Sequence, residues 1–344
     1  MAGVLVIRFS ALGDVAISVP LVNGLAEQYP EHKFIMVSKP QMEDLFSGSP
    51  SNVHFVPAFT KGRHKGIWGL YRLYKDIKPL KVDVVCDVHN VHRSKILSFF
   101  FKCSRIPVFR IDKQRNERRK LVRKRRKQLK QLKTSFERYR DVFAKAGFSL
   151  IHFDTRPKLG CSEEKMAKQR PIFGEKNKKW IGIAPFAKHE GKIYPGKYTE
   201  QVIESLLKED QYTLFLFGGG AYEKSVINQW KTKYPKIQVP SQLQLKEEVE
   251  LMACLDVMLT MDSANMHLAS IAHTPVVSIW GATHPFAGFY GLFQSEFNAV
   301  QLDLDCRPCS IYGNIPCYKG NYPCLNGISP EVVVRKLKQT LNDL

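Results

Sequence analysis

Leu259–Pro285, LTMDSANMHLASIAHTPVVSIWGATHP, is the stretch from which the rest of the chain can be read. An apolar run ends at Asp262. Ser263 and Ala264 supply a small-residue turn, and His267 follows within the first helical turn. A second apolar run, Pro275–Trp280, completes strand, turn, helix and strand. A helix that starts after such a turn leaves its first amides unpaired at the positive end of its dipole. One ligand at this strand end would meet amides, a hydroxyl, a carboxylate and an imidazole together. A phosphate bearing a polyol fits that set.

The same alternation runs through the chain. Val4–Phe9, Phe34–Ser38, Val53–Val56 and Asp83–Asp87 read as strands. Helices are expected from about Asp14 to Gln28, over Gly66–Ile77 and over Arg93–Phe101. A second series begins with strand Trp180–Pro185. It continues with helix Thr199–Lys208, strand Tyr212–Phe217, helices Tyr222–Lys233 and Leu245–Cys254, and strand Val257–Met261. Pro330–Leu341 reads as a closing amphipathic helix. Strands alternating with helices predict an α/β protein of two Rossmann-like domains, with a ligand cleft at the carboxyl ends of their strands. The predicted boundaries are residues 1–165, 175–328 and a closing helix over 329–344. The polar stretch Gly147–Lys179, with Pro157 and Pro171, is the predicted linker.

Among 344 residues no apolar run approaches the roughly 20 needed to span a bilayer. The apolar N-terminus has no basic leading region and is interrupted by Arg8 and Asp14, so a cytoplasmic protein is expected. The net charge is +20, and Arg110–Arg140 holds 15 Lys or Arg against three Asp or Glu. Asn116–Ala146 contains neither Gly nor Pro and reads as one long basic helix or two collinear ones. An anionic partner is implied: nucleic acid, an anionic membrane surface or an acidic substrate. Cys306, Cys309, Cys317 and Cys324 have a spacing that could hold a tetrahedral structural zinc, or they are reduced buried thiols. Cys86, Cys103, Cys161 and Cys254 read as core or incidental residues, since disulfides are disfavoured in a reducing cytoplasm.

Near the N-terminus, Arg8-Phe-Ser-Ala-Leu-Gly-Asp14 ends the first strand. Asp14 reads either as a first-turn helix acid or as a general base acting on an acceptor hydroxyl. RFSALGD, Lys192 followed by Ile-Tyr194-Pro195, the LFLFGGG strand end, and DSANMHLA followed by TPVVSIWGATHP form an ordered set spread over nearly the whole chain. Each motif is weak alone; together they resemble the ADP-heptose lipopolysaccharide heptosyltransferases, glycosyltransferase family nine.

The resemblance implies a GT-B fold and metal-independent, inverting transfer of heptose from ADP-heptose to the lipopolysaccharide inner core. It also implies a cytoplasmic enzyme at the inner face of the inner membrane. Asp14 matches the presumed base, and Lys192 the lysine used against the donor diphosphate. Asp262, Ser263, Ala264 and His267 match the donor-binding turn, with Ala264 where the family usually has Gly. Gly218, Gly219, Glu223 and Lys188 join the donor side. Arg93 is the acceptor candidate in the segment Asp87–Ser94, with Arg8 and Ser10 beside it. No cofactor is required, and the partners implied are a nucleotide-sugar donor, a lipid A–core acceptor and the anionic inner-membrane surface, with no nucleic acid expected.

Three alternatives stand beside this reading. One is a basic nucleic-acid-binding protein using the 110–140 helix, although no aromatic residues are interleaved with that run to stack on bases. Another is a glycosyltransferase with a different donor sugar. The third is an oxidoreductase, although Ser10–Gly13 lacks the G-x-G-x-x-G of a dinucleotide fold.

Overall fold

The computed structural model describes residues 2–151 and 161–343. Its first series of elements is β1 (Gly3–Ile7), α1 (Leu12–Gln28), β2 (Lys33–Ser38), β3 (Val53–Pro57), α2 (Gly66–Ile77), β4 (Val84–Asp87), α3 (His92–Cys103) and β5 (Val108–Arg110). Then come α4 (Arg115–Leu121), α5 (Ser135–Lys145) and α6 (Glu163–Phe173). The second series is β6 (Lys179–Ala184), α7 (Gly196–Leu207), β7 (Tyr212–Leu216), α8 (Ala221–Lys233), α9 (Leu245–Ala253), β8 (Val257–Met261), α10 (Ala264–Ile271), β9 (Val276–Ile279), β10 (Ala299–Val300), α11 (Pro323–Asn326) and α12 (Pro330–Asn342).

Two compact units form: residues 2–113 with 133–151, and residues 114–132 with 161–343. The first contains a parallel sheet ordered β3-β2-β1-β4-β5. Leu5, Ile7, Ile35, Val37 and Val85 pack on α2 and α3 through Leu70, Leu73, Leu97 and Phe101. The second contains a parallel sheet ordered β10-β9-β8-β6-β7. Its core joins Ile181, Ile183, Leu214, Leu259 and Val277 to Val202 and Leu206 of α7 and to Val333 and Leu337 of α12. Strands covered on both faces must be apolar throughout, which is why β1 and β8 are buried along their whole length. Strand order reverses between β1 and β4 in one sheet and between β6 and β8 in the other. Ligands bind beyond the carboxyl ends of strands at such switch points.

The structure corrects several expectations. No long basic helix spans 116–146: α4 ends at Leu121 and α5 restarts at Ser135. Five consecutive cations, Arg123–Lys127, repel one another at helical spacing. Lys127 donates instead to the carbonyls of Asp305 and Arg307, and the Leu132 amide donates to the Phe286 carbonyl. Thr134 then caps the Glu137 amide while Glu137 accepts from the Thr134 amide, which starts α5. Residues 114–132 therefore belong to the second unit, with Leu121 and Leu132 packed on Ala287, and not to the 1–165 domain expected for them.

Part of the predicted linker, residues 152–160 with Pro157, lies outside the described residues. The remainder contains α6, capped by Ser162. Cys161 and Cys254 are not incidental: a disulfide joins them across 93 residues. Strands β5 and β10 add an edge to each sheet. Among the described residues no helix is long and apolar enough to cross a membrane.

Candidate functional site

At the switch point of the first sheet, β1 and β4 end side by side, with Ile7 in register with Asp87. Arg8 follows directly and is buried. One of its terminal nitrogens donates 2.8 Å to the Val88 carbonyl, and the other pairs with the Asp14 carboxylate. Burial opposes the Arg8 charge, but Asp14, Tyr139 and Asp87 outweigh it and hold its pKa above the ordinary value. Asp14 lies in the first turn of α1. Its Oδ2 accepts from the Ala11 amide at 3.3 Å, and its Oδ1 accepts from the Tyr139 hydroxyl at 3.4 Å. Burial pushes that phenol well above its usual range, so it stays a donor. Asp14 therefore acts as a first-turn acid of α1, and its side chain remains about 30% exposed.

Asp87 shapes the next loop. Its fully buried carboxylate accepts from the His89 and Asn90 amides and the Ser94 hydroxyl, at 3.1, 2.7 and 3.0 Å, with Arg110 Nε at 3.8 Å. Burial nevertheless raises its pKa. His89 Nδ1 accepts from the Phe9 amide at 3.3 Å, which leaves the proton on Nε2. Burial, with Arg8, Lys113 and Lys39 nearby, pushes this imidazole down to about 3, so it is neutral at neutral pH.

Arg8 is therefore committed to Asp14 and a carbonyl rather than presented outward as an acceptor ligand. Arg93 is exposed in the first turn of α3, and the cation that reaches the buried Asp87 is Arg110. Ser10 is half-exposed at the end of β1.

At the switch point of the second sheet, Ala184 is in register with Thr260. The segment after β6 delivers Lys192, whose Nζ lies 2.9 Å from Asp262 Oδ2 and 3.1 Å from the Asp262 carbonyl. Gly313, at positive φ, packs against the Lys192 stem, where a Cβ would lie 2.6 Å from Cγ. Tyr194 is buried and donates 2.8 Å to the Ile328 carbonyl. Ser263 precedes α10 but does not cap it; its hydroxyl lies 3.2 Å from that of Thr260. The Ser263 side chain thus makes no cap at the start of α10, and no acid stands in its first turn. The amides of that turn suit an anion. Ala264 is the first residue of α10 and is not at positive φ, so the exchange for Gly carries no backbone strain. His267 is buried one turn on.

Gly218 lets Ile227 and Phe186 close on the backbone, since a Cβ would come within 2.8 Å of Ile227. Gly219 is open, and Lys188 is exposed. The Glu223 carboxylate turns back on its own loop and accepts from the Gly219 amide at 2.8 Å. Lys188 and Lys192 both act on His189, whose pKa burial and those cations lower.

The four late cysteines are free thiols, with Cys324 buried. Burial and the neighbouring thiols raise Cys309, and raise Cys324 to about 11. Among the described residues no group of three or more His, Cys, Asp or Glu is placed to hold a metal ion.

Two residues that complete these clusters have no local sequence signal. Tyr139 reaches Asp14 across 125 residues, and Arg110 reaches Asp87 from a three-residue strand.

Residues 70–316 match the family described as glycosyltransferase family 9 (heptosyltransferase). The chain is 23% identical to a lipooligosaccharide heptosyltransferase 2 of Campylobacter jejuni, over 95% of this chain and 96% of that one. It superposes on a glycosyltransferase family 9 structure from Veillonella parvula with a TM-score of 0.77 at 19% identity, covering 100% and 98% of the two chains. Against the structure of E. coli ADP-heptose lps heptosyltransferase II the TM-score is 0.70 at 18% identity, covering 100% and 99%. The two parallel sheets are those of a GT-B fold.

Proposed function

The chain belongs to glycosyltransferase family 9, the heptosyltransferases, and from that premise we propose that it transfers a heptose from ADP-heptose to the inner core of lipopolysaccharide, with inversion. The observation that carries the reading is the Lys192–Asp262 pair beside the uncapped start of α10. Asp262 holds Lys192 Nζ at 2.9 Å beside the strand end, and the lysine is the more exposed of the two. A lysine held in this way meets a diphosphate without first losing side-chain freedom.

In the proposed step the acceptor hydroxyl gives its proton to the Asp14 carboxylate. Its oxygen attacks the anomeric carbon from the face opposite the diphosphate. The new carbon–oxygen bond forms as the bond to the diphosphate breaks, and that electron pair leaves on the phosphate oxygen. Lys192 and the α10 amides stabilise the growing charge, which favours the transition state over the ground state. His267 would face the sugar hydroxyls, while Asp262 holds Lys192 in place. Charge neutralisation is assigned to these protein groups, so transfer is expected to proceed in a chelator. The reading places the enzyme in the cytoplasm against the membrane that carries its acceptor.

The test is transfer of heptose from ADP-heptose to a deacylated, soluble inner-core acceptor. Turnover that continues in EDTA and fails when the donor is a uridine or guanosine diphosphate sugar supports it. Selective use of another nucleotide sugar would transfer the reading to a different donor. The nucleic-acid alternative uses the basic segment 110–140, which forms two helices separated at 122–134; tight binding of RNA with no binding of a nucleotide sugar would favour it.

A further inference from the structure

Of the four tryptophans in the chain, Trp180, Trp230 and Trp280 are buried. Trp68 is 78% exposed, and it does not stand alone: Ile67 is 61% exposed, Phe99 58% and Phe59 47%. These residues lie on α2, on α3 and on the loop that leads into α2. The two helices pack together, and the Tyr71 and Phe100 rings meet edge to face at 5.3 Å between them. Ile67 and Trp68 occupy the first turn of α2. In a parallel sheet with right-handed crossovers, that turn lies at the carboxyl edge of the strands, the edge that also carries Asp14. Trp68 and Arg72 share one stripe of α2, and Lys95 and Phe99 share one stripe of α3.

The charge around this apolar set has one sign. Residues 61–81 contain seven Lys or Arg and a single acid, Asp76, which is already paired with Arg63 and His64. Residues 92–105 contain four Lys or Arg and no acid. Exposed Trp, Ile and Phe within a field of cations that outnumber acids eleven to one match a surface that is apolar just beneath a layer of negative charge. An anionic bilayer is such a surface: the aromatic rings enter the headgroup boundary while the cations meet lipid phosphates. The basic run at 123–126 has no aromatic residue within it, and the exposed Tyr318 ring is covered by Lys124 at 4.8 Å.

We propose that the α2–α3 face of the first unit, centred on Trp68 and Ile67, docks the enzyme on an anionic lipid bilayer. This rests on the reading of a lipid-anchored acceptor, and it places the membrane contact at the sheet edge that carries Asp14.

The experiment uses the full chain with vesicles of phosphatidylcholine alone or mixed with phosphatidylglycerol. Sedimentation reads partition, and tryptophan emission reads insertion, because Trp68 is the one tryptophan of the four that is exposed. The expected result is binding to the anionic vesicles only, weakening as salt rises, with a blue shift and protection from acrylamide. The double variant I67S/W68S should partition at least tenfold less and lose the blue shift. It should keep full transfer to the soluble acceptor, because neither residue is buried. Changing Arg123, Lys124, Arg125 and Arg126 to Glu should leave the blue shift in place.

Binding without any emission change, partition unaffected by I67S/W68S, or a preference for single-stranded RNA over vesicles would each overturn the proposal. Absence of transfer to the soluble acceptor in the unaltered chain would instead count against the function above, independently of the vesicle result.

Discussion

The two switch points each hold an aspartate against a cation, but they present opposite members of the pair. In the first unit the arginine is buried: Arg8 is 9% exposed at its side chain and Asp14 is 30%. In the second unit the acid is buried: Asp262 is 4% exposed and Lys192 is 14%. The buried partner fixes the geometry, and the more exposed one is offered to the ligand. One corner therefore presents a carboxylate, suited to take a proton. The other presents an ammonium beside a helix start that Ser263 does not cap, suited to take a diphosphate. The same pair of charges supports two roles because the fold covers a different half of it each time.

If the comparison is right, the corners break in different ways. The largest effect is expected for D14N, which keeps the shape and the Ala11 contact but removes the base. Transfer should fall about 10²–10⁴-fold, while ADP affinity stays unchanged by calorimetry. Next is K192Q, which should lower kcat about 10²–10³-fold and also weaken ADP binding. It leaves the buried Asp262 without its cation, so its melting temperature should fall as well.

R8K separates positioning from charge. A lysine keeps the charge but cannot hold both Asp14 and the Val88 carbonyl with a planar fork. Transfer is expected to fall roughly tenfold, about 1.4 kcal/mol in the barrier, with ADP affinity intact. A shift in the pH–rate profile that accompanies the fall would identify Arg8 as acting through Asp14.

A smaller effect concerns Glu248 in α9, where burial raises the carboxyl to about 7 against the opposing pull of Lys224. A raised folded pKa favours the protonated form, so the stability it contributes is present below the ordinary carboxylate range and lost as pH rises through about 7. E248Q should match the parent at pH 5 and melt higher at pH 8, by about 2–4 °C for each kcal/mol regained. Smallest is A264G. Because Ala264 is an ordinary first-turn helical residue, ADP affinity should hold within about twofold and stability should fall by less than about 1 kcal/mol. A marked gain in affinity would mean that the Ala264 methyl obstructs the phosphate.

Much of this arrangement was legible from residue patterns. Val257–Met261 and Gly66–Ile77 form where apolar runs and periodicity place them. Asp14 falls in the first turn of α1 and Asp262 directly after β8, where the apolar runs end; Lys192, eight residues beyond β6, was marked only by the family resemblance. The break between α4 and α5 also had a readable signal: Thr134 and Glu137 stand three apart, as a capping box requires. The absence of Gly and Pro obscured it. In α6 the start at Ser162 and stop at Gly174 were readable too, but Pro171 argued against a helix.

Other features had no local trace. The burial of Arg8 depends on Tyr139 and Asp87, which arrive from distant parts of the chain. The disulfide depends on Cys161 and Cys254 meeting through tertiary contacts, and nothing in their spacing marks them as partners. Exposure of Trp68 was likewise invisible, because an amphipathic helix start reads the same whether its apolar residue is covered or bare.

The central claim is that one corner supplies the base and the other holds the diphosphate. It is tested most directly by measuring single-turnover transfer and ADP dissociation constants together for the parent chain, D14N and K192Q. The account predicts that D14N loses chemistry and keeps ADP binding, whereas K192Q loses both. Equal loss of ADP affinity in the two variants, or near-parental transfer by D14N, would contradict it.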